Sequence, residues 1–282
     1  MKTDRAQQKQ TTMVLGGTGK TGRRVAQRLA ARGVPTRVVS RSGEPPFDWE
    51  NEATWAPVLR DVESVYVSYF PDLAVPGALA AVRSFAELAV ESGVRRLVLL
   101  SGRGEEEAQC TELAVQEAGA EWTIVRCAWF MQNFSENYLL EPILSGEVVF
   151  PAMDVPEPFV DADDIADVAV AALTEDGHAG QIYELTGPRL LTFPEAIGEI
   201  ARATGRKIRY LPVSVEEYAS MLSEQGVPAE FVWLVTYLFS EVLDGRNAYL
   251  TDGVQRALGR EPKDFAVYAR EVAATGIWEG GR

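Results

Sequence analysis

Cysteine, histidine and lysine are scarce in this chain of 282 residues, and each scarcity removes a class of chemistry. The two cysteines, Cys110 and Cys127, lack CxxC spacing, so neither a disulfide framework nor a thiolate metal site is expected. Both are expected as buried or half-buried thiols, because a free cysteine behaves as a small hydrophobe. The single histidine, His178, falls in the turn-like run from Glu175 to Gly180 and is expected on a solvent-exposed loop. One histidine excludes a histidine-rich metal site and a serine-type triad, and no metal is expected. No apolar run approaches the roughly 20 residues that span a bilayer. The opening MKTDRAQQKQ is polar, with neither an apolar segment nor a small-residue cleavage site. A cytoplasmic chain with no membrane partner is the expectation. Positive charge is short as well: 27 Lys and Arg against 41 Asp and Glu leave a net −14. That sign repels phosphate backbones and argues against nucleic acid as a partner.

What is present reads as an ordinary globular protein, 46% hydrophobic and 24% charged, long enough for a nucleotide-binding core and a smaller appended region. In TTMVLGGTGKTGRRVAQRLAARGVPTRVVSRS a short apolar strand, Thr12 to Leu15, meets a glycine loop and then an amphipathic helix. Val25, Ala26, Leu29 and Ala30 recur at helical spacing, Gly33 supplies the stop, and Thr36 to Ser40 form a second strand. Further strands are predicted at Ser64 to Ser68, Arg96 to Ser101 and Trp122 to Arg126, with helices near 74–92 and 105–118 between them. The proline-rich stretch between the second and third strands predicts an abbreviated crossing. Alternation of this kind argues for α/β architecture, a Rossmann-type, doubly wound parallel sheet. Residues 11–150 are assigned to the sheet domain and 151–282 to a smaller, mainly helical substrate-covering region, with a late strand near 181–186 rejoining the sheet. Capping boxes at Thr192 with Glu195 and Ser214 with Glu217 announce two of its helices, and Asp161 precedes a third.

Gly16, Gly19 and Gly22 stand between strand and helix, where absent side chains permit a tight turn and close approach of a pyrophosphate to the helix amino end. Gly16, Thr18, Gly19, Lys20, Thr21 and Gly22 are therefore candidate cofactor residues. A P-loop is excluded, because that motif needs glycine five residues before its Gly-Lys pair and position 14 is Val14. The second strand ends in Ser40-Arg41-Ser42 with no acidic residue to bind ribose hydroxyls, so Arg41, with Lys20, favours NADP(H) over NAD.

These residues resemble the NmrA-like branch of the atypical short-chain dehydrogenase/reductase superfamily over nearly the whole chain. Further matches are the Val98 to Ser101 strand end, TIVRCAWFMQNFSEN from Thr123, FVDADDIADVA from Phe159, YELTGPRLLTFPE from Tyr183 and the segment Gly259 to Phe265. Within the branch the chain looks most like the ergot-alkaloid reductases, the festuclavine synthase group, through GKTGRRVA, the SRS after strand two, FDW at 47 and WFMQNFSE at 129. The resemblance implies cofactor contacts from Thr18 to Gly22, Arg41, Ser68 to Phe70 (Tyr69 included), Ser101, and Ala128 to Phe130.

Most members of the superfamily move a proton with a Tyr-x-x-x-Lys pair. No tyrosine here has lysine four residues later, and no lysine lies between Lys20 and Lys207. Where the pair should stand, the chain has Glu105, Glu106 and Glu107, better read as acids at a helix amino end. Ketone reduction by the usual route is disfavoured, and the only catalytic candidates are Ser101 and Tyr69. Two functions remain: a reductase whose electrophile, notably an iminium carbon, needs no proton from the protein, or a non-catalytic NADP(H)-sensing regulator of the NmrA kind. Trp129, Phe130, Met131 and Phe134 are candidate substrate contacts, since aromatic faces suit a flat or cationic small molecule. That group favours the enzyme.

Overall fold

A computed structural model of the chain describes residues 11–152 and 154–279, so the polar opening read above lies outside the described residues. Along the chain run β1 (Thr11–Val14), α1 (Lys20–Ala31), β2 (Thr36–Val38), α2 (Trp55–Val58), β3 (Val62–Val67), α3 (Ala78–Glu91), β4 (Arg96–Gly102), α4 (Glu106–Glu117) and β5 (Glu121–Cys127). There follow α5 (Leu140–Ser145), β6 (Glu147–Phe150), α6 (Ala162–Thr174), β7 (Gln181–Leu185), α7 (Phe193–Thr204), β8 (Arg209–Pro212), α8 (Val215–Glu224), α9 (Ala229–Tyr237), α10 (Gly253–Leu258) and α11 (Phe265–Ala273).

Six strands form one sheet in the order β2-β1-β3-β4-β5-β7. The register sets Met13 between Arg37 and Val65, and Val65 opposite Leu97, all in parallel pairs. Bonds from Gly180 N–H to Trp122 and from Ala128 N–H to Leu185 advance together along β5 and β7, so that pair is parallel too. Nearly continuous apolar runs in β3 and β4 suit strands covered on both faces. The order reverses between β1 and β3, the switch point at whose carboxyl edge doubly wound folds take their ligands.

Two compact units interleave along the chain. The first takes the described residues up to Ser101, with Glu106–Val125 and Ile165–Tyr183; the second takes Gly102–Glu105, Arg126–Asp164 and the described residues from Glu184 on. In the first, Met13, Leu15, Val65, Val82, Phe85, Leu97 and Ile124 are core. The crossing from β2 to β3 is abbreviated as expected, a single 3-10 turn at Glu52–Thr54 and then α2. Phe47, Trp49 and Trp55 pack on Phe85 at centroid distances of 5.3–5.8 Å, filling the space that a longer helix would occupy. The second unit pairs β6 with β8 and centres on an aromatic core of Phe134, Phe150, Phe159, Phe193, Phe265, Tyr268 and Trp278.

Both capping boxes form, at the starts of α7 and α8, and Asp161 caps α6 by accepting the Asp163 N–H at 2.7 Å. Two expectations are corrected. His178 is buried, not exposed: its turn folds back so that the ring Nδ1 meets the Tyr183 hydroxyl at 2.9 Å and its carbonyl accepts from Thr123 Oγ1 at 2.8 Å. Cys110 is exposed, because it faces outward from α4, whereas Cys127 is buried and its thiol is pushed up by burial, with Arg103 opposing. The helix expected from 74 begins at Ala78, since Gly77 at φ +91° closes a turn before it.

Candidate functional site

The turn joining β1 to α1 is built by bare backbone. Gly16 has φ +62°, the left-handed region that glycine enters without cost. A Cβ on Gly22 would stand 2.2 Å from the Gly16 carbonyl oxygen, so helix and turn approach only as backbone. Gly19 differs: φ −78° and ψ 177° are angles that any residue adopts, a Cβ there would stand 3.2 Å from Gly16 O, and its N–H closes the turn on that oxygen at 2.8 Å. Gly19 is the N-cap of α1, where no side chain caps the helix and no acidic residue enters the first turn. The positive end of the helix dipole is therefore left uncompensated, the condition under which a helix start binds a phosphate. Thr18 and Gly19 are exposed, Lys20 is half-buried, and Thr21 and Gly22 are buried as α1 begins. Ser40 Oγ lies 3.4 Å from Ser42 Oγ, and Arg41 between them is exposed, with no acidic residue at that strand end.

Ser68 follows β3, its Oγ 3.3 Å from the position that a Gly16 Cβ would take, and its carbonyl accepts the Trp49 indole N–H at 3.3 Å. Tyr69 packs on Trp49 with centroids 5.0 Å apart, and burial, then the charge of Glu50, raises its phenol above the ordinary range. A Tyr-Lys pair works by the opposite shift, so Tyr69 is poorly suited to replace it. Ser101, near the end of β4, donates from Oγ to Oε1 of Glu112 at 2.6 Å, both side chains buried.

The expected substrate residues lie in the second unit. Ala128 is buried and its N–H donates to Leu185 O at 3.0 Å. Trp129 is half-buried against Phe193 and Phe239, at centroid distances of 5.6 and 5.1 Å, and Phe130, half-buried, pairs with Val160. Met131 and Phe134 have no exposed surface and belong to the core, so contact with a substrate does not fit them. Among the described residues no group of side chains could hold a metal ion, and no helix is long and apolar enough to cross a membrane.

A profile of the NAD(P)H-binding family matches residues 16–176, starting at the glycine turn itself. Festuclavine synthase I of Penicillium roqueforti (strain FM164) is 31% identical over 282 residues, covering 92% of this chain and 97% of that one. This chain belongs to the NmrA-like, NAD(P)H-binding family. It stands close to the ergot-alkaloid reductases. Two solved structures share the fold. Citrobacter sp. triphenylmethane reductase complexed with NADP(H) aligns at TM-score 0.77 and 20% identity over 93% of this chain and 99% of its own. NmrA, a negative transcriptional regulator in complex with NAD, aligns at 0.72 and 18% over 98% and 99%. The cofactor class of this chain is thus a nicotinamide dinucleotide, NADP(H) included.

In this NmrA-like chain three of the motifs that carried the resemblance, WFMQNF, FVDADD and the segment Gly259 to Phe265, converge on one another within the second unit. Gln132 donates to Asp161 Oδ1 at 3.0 Å and accepts the Ala162 N–H at 2.7 Å, joining WFMQNF to FVDADD. Lys263 Nζ reaches Asp161 and Asp163 at 3.2 and 3.6 Å, while Arg260 pairs with Asp164 at 2.6 Å. Arg189 binds Asp264 and Glu199 at 2.6 and 2.7 Å. These residue types hold a scaffold together rather than a ligand. Sequence reasoning missed a second cluster, in which buried Arg103 binds Glu184 at 2.6 Å and lies over the Tyr249 ring at 4.4 Å. Among the described residues, neither carboxyl oxygen of Glu157, also buried, has a hydrogen-bond partner. Burial pushes its carboxyl up to about 7, against the lowering charge of Arg103. Glu112 was missed too, although it falls in the buried stripe Ala108, Thr111, Val115 of α4, where an acid is out of place.

Proposed function

We propose that this chain is an NADPH-dependent reductase delivering hydride to a small organic electrophile of secondary metabolism, an iminium, an imine or a conjugated carbonyl. The observation that supports it is the uncapped start of α1 on a turn kept bare by glycine, together with exposed Arg41 at the end of β2. Gly16 to Gly22 would receive the pyrophosphate, with Lys20 adding charge. Arg41 would pair with the extra phosphate of NADPH in the bidentate manner that a guanidinium favours. Ser40, Ser68, Tyr69, Ser101, Ala128 and Phe130 would border the rest of the cofactor. When bound, NADPH supplies the hydride. The protein's share is orientation and exclusion of water, with near-attack geometry providing much of the rate.

Trp129 and Phe130 are the aromatic faces left for a flat or cationic substrate, since Met131 and Phe134 are spent on core packing. An iminium that accepts hydride becomes a neutral amine without a proton donor, which fits a chain having no Tyr-x-x-x-Lys pair. A second reading, an NADP(H)-sensing regulator, draws on the fold likeness to NmrA. One measurement separates them: NADPH consumption against a panel of iminium, imine, quinone, enone and ketone compounds. Turnover of iminium or conjugated members above the uncatalysed background is the expected result. Tight cofactor binding with no turnover of any member would leave the sensor.

A further inference from the structure

A tyrosine whose hydroxyl bonds to nothing inside the protein costs more than a phenylalanine of the same shape, because the polar group loses water and gains no partner. The second unit holds two such tyrosines around one ring. Phe150, fully buried at the end of β6, is stacked by Tyr138 at a centroid distance of 5.9 Å and an interplanar angle of 11°, and is met edge-on by Tyr218 of α8 at 5.5 Å. Among the described residues neither hydroxyl has a hydrogen-bond partner, and burial is the main cause that raises each phenol above its ordinary range. Tyr138 leaves 41% of its surface exposed, so part of its ring is open while its hydroxyl is desolvated. A third phenol supplies the contrast. Tyr210 of β8, within electrostatic reach of Tyr218, donates to the Ala152 carbonyl, so its proton is used within the fold.

The surroundings select the ligand that would use the two idle protons. No carboxylate or cationic side chain among the described residues shifts any of the three phenols; besides burial and the Ala152 bond, the only influence is that of one tyrosine on another. An ion placed there would give up water for no counter-charge. A neutral carbonyl oxygen has two lone pairs and can take one hydrogen from each hydroxyl. The rings suit a flat body, and their contacts continue from Phe150 to Phe239 at 4.9 Å and from Phe239 to Trp129 at 5.1 Å. Tyr218 and Trp129 therefore pack on one aromatic core within a single unit. We propose that Tyr138 and Tyr218 form a paired-hydroxyl site that takes the carbonyl oxygen of a flat, neutral ligand. The inference rests on the reductase reading only in naming that ligand the substrate, which makes the substrate a conjugated carbonyl and not an iminium.

The test compares wild type with Tyr138→Phe, Tyr218→Phe and Tyr210→Phe, all loaded with NADP+. Each substitution removes one oxygen and keeps the ring. Equilibrium dialysis measures binding of three flat bicycles: chromone, 4H-chromene, which lacks the carbonyl, and N-methylquinolinium, a cation. We expect wild type to bind chromone roughly tenfold more tightly than the other two, and Tyr138→Phe and Tyr218→Phe each to lower the ratio of chromone to chromene binding severalfold, the worth of one neutral hydrogen bond. Both variants should melt at or above the wild-type temperature, since no bond inside the fold is lost, whereas Tyr210→Phe should melt lower and keep the ratio. A wild type that binds chromone no better than chromene overturns the proposal. So does either phenol variant that keeps the wild-type ratio, or that melts as low as Tyr210→Phe. NADPH consumption reads the other hypothesis separately: a chromone preference lost in both variants, with no electrophile turned over by wild type, keeps the site and removes the reductase reading.

Discussion

Gly16, Gly19 and Gly22 lie within seven residues of one another, yet they are bare for different reasons that substitution can separate. Gly22→Ala drives a Cβ into the Gly16 carbonyl oxygen and should lower both thermal stability and cofactor affinity. Gly19 has ordinary backbone angles and only a 3.2 Å approach to Gly16 O, so Gly19→Val should fold and yet lose nearly all cofactor binding, because its side chain occupies phosphate space. Melting curves and calorimetry on the two variants check this; equal affinity in Gly19→Val and wild type would place the nucleotide elsewhere. Arg41→Ala should reduce the preference for NADPH over NADH by roughly tenfold or more, the worth of a bidentate charged contact. Equal dissociation constants in the unmodified protein would contradict the role given to Arg41.

Glu157 is a residue whose ionisation works against the fold. With its carboxyl raised from 4.5 to about 7, the folded chain holds a proton that the unfolded chain has released at intermediate pH. Stability from this group is therefore fullest at and below the lower value and declines as pH rises to the higher one, beyond which it levels. The decline is on the order of 3 kcal/mol at most. Urea titrations near pH 5 and near pH 8 should show Glu157→Gln losing much less stability than wild type over that interval. Parallel profiles for the two proteins would mean that Glu157 is ionised throughout.

At the scale of elements, helix starts are the most legible feature. Thr192 with Glu195 and Ser214 with Glu217 close the boxes their spacing predicts, since both partners sit within one turn. Thr192→Ala should cost about 1 kcal/mol of stability with cofactor affinity unchanged, measured by urea denaturation and calorimetry. The strands of the large sheet were equally readable, because buried parallel strands write themselves as apolar runs between helical patterns. Strands β6 and β8 were not. Each is four residues long and their partners are about sixty residues apart, so no turn chemistry marks them. The glycine turn was legible for the same local reason as the caps. Arg103 with Glu184, and Glu157 with no hydrogen-bond partner for its carboxyl among the described residues, left no trace, because what makes them notable is burial set by distant segments. Glu112 left a faint one, a charge inside an apolar stripe. His178 and Cys110 went the other way: a turn-like neighbourhood for the first and residue type for the second spoke for one exposure, and tertiary packing chose the other.

Across the whole molecule, a net charge of −14 sets the field that an incoming ligand meets. A cationic substrate is drawn in by that field and a neutral one is indifferent to it. Raising ionic strength from about 0.02 M to about 0.5 M should therefore lower kcat/KM for an iminium substrate severalfold and leave a neutral conjugated carbonyl nearly unchanged. Equal salt dependence for both would remove long-range charge from the account. On the proposed reading the anionic cofactor would be received differently, by the local dipole of α1 and by Arg41 and not by the sign of the surface as a whole.

Each of the two units is assembled from separate stretches of chain, with strand β4 ending and helix α6 beginning in different units from the residues beside them. No single cut, upstream or downstream, yields either one entire and free of the other. A truncated gene product that keeps one unit entire also carries part of the other, so neither unit is a contiguous cassette. Recombination that keeps either unit whole has to carry part of the other across with it, which confines viable exchange between relatives to the span as a whole or to changes inside one stretch.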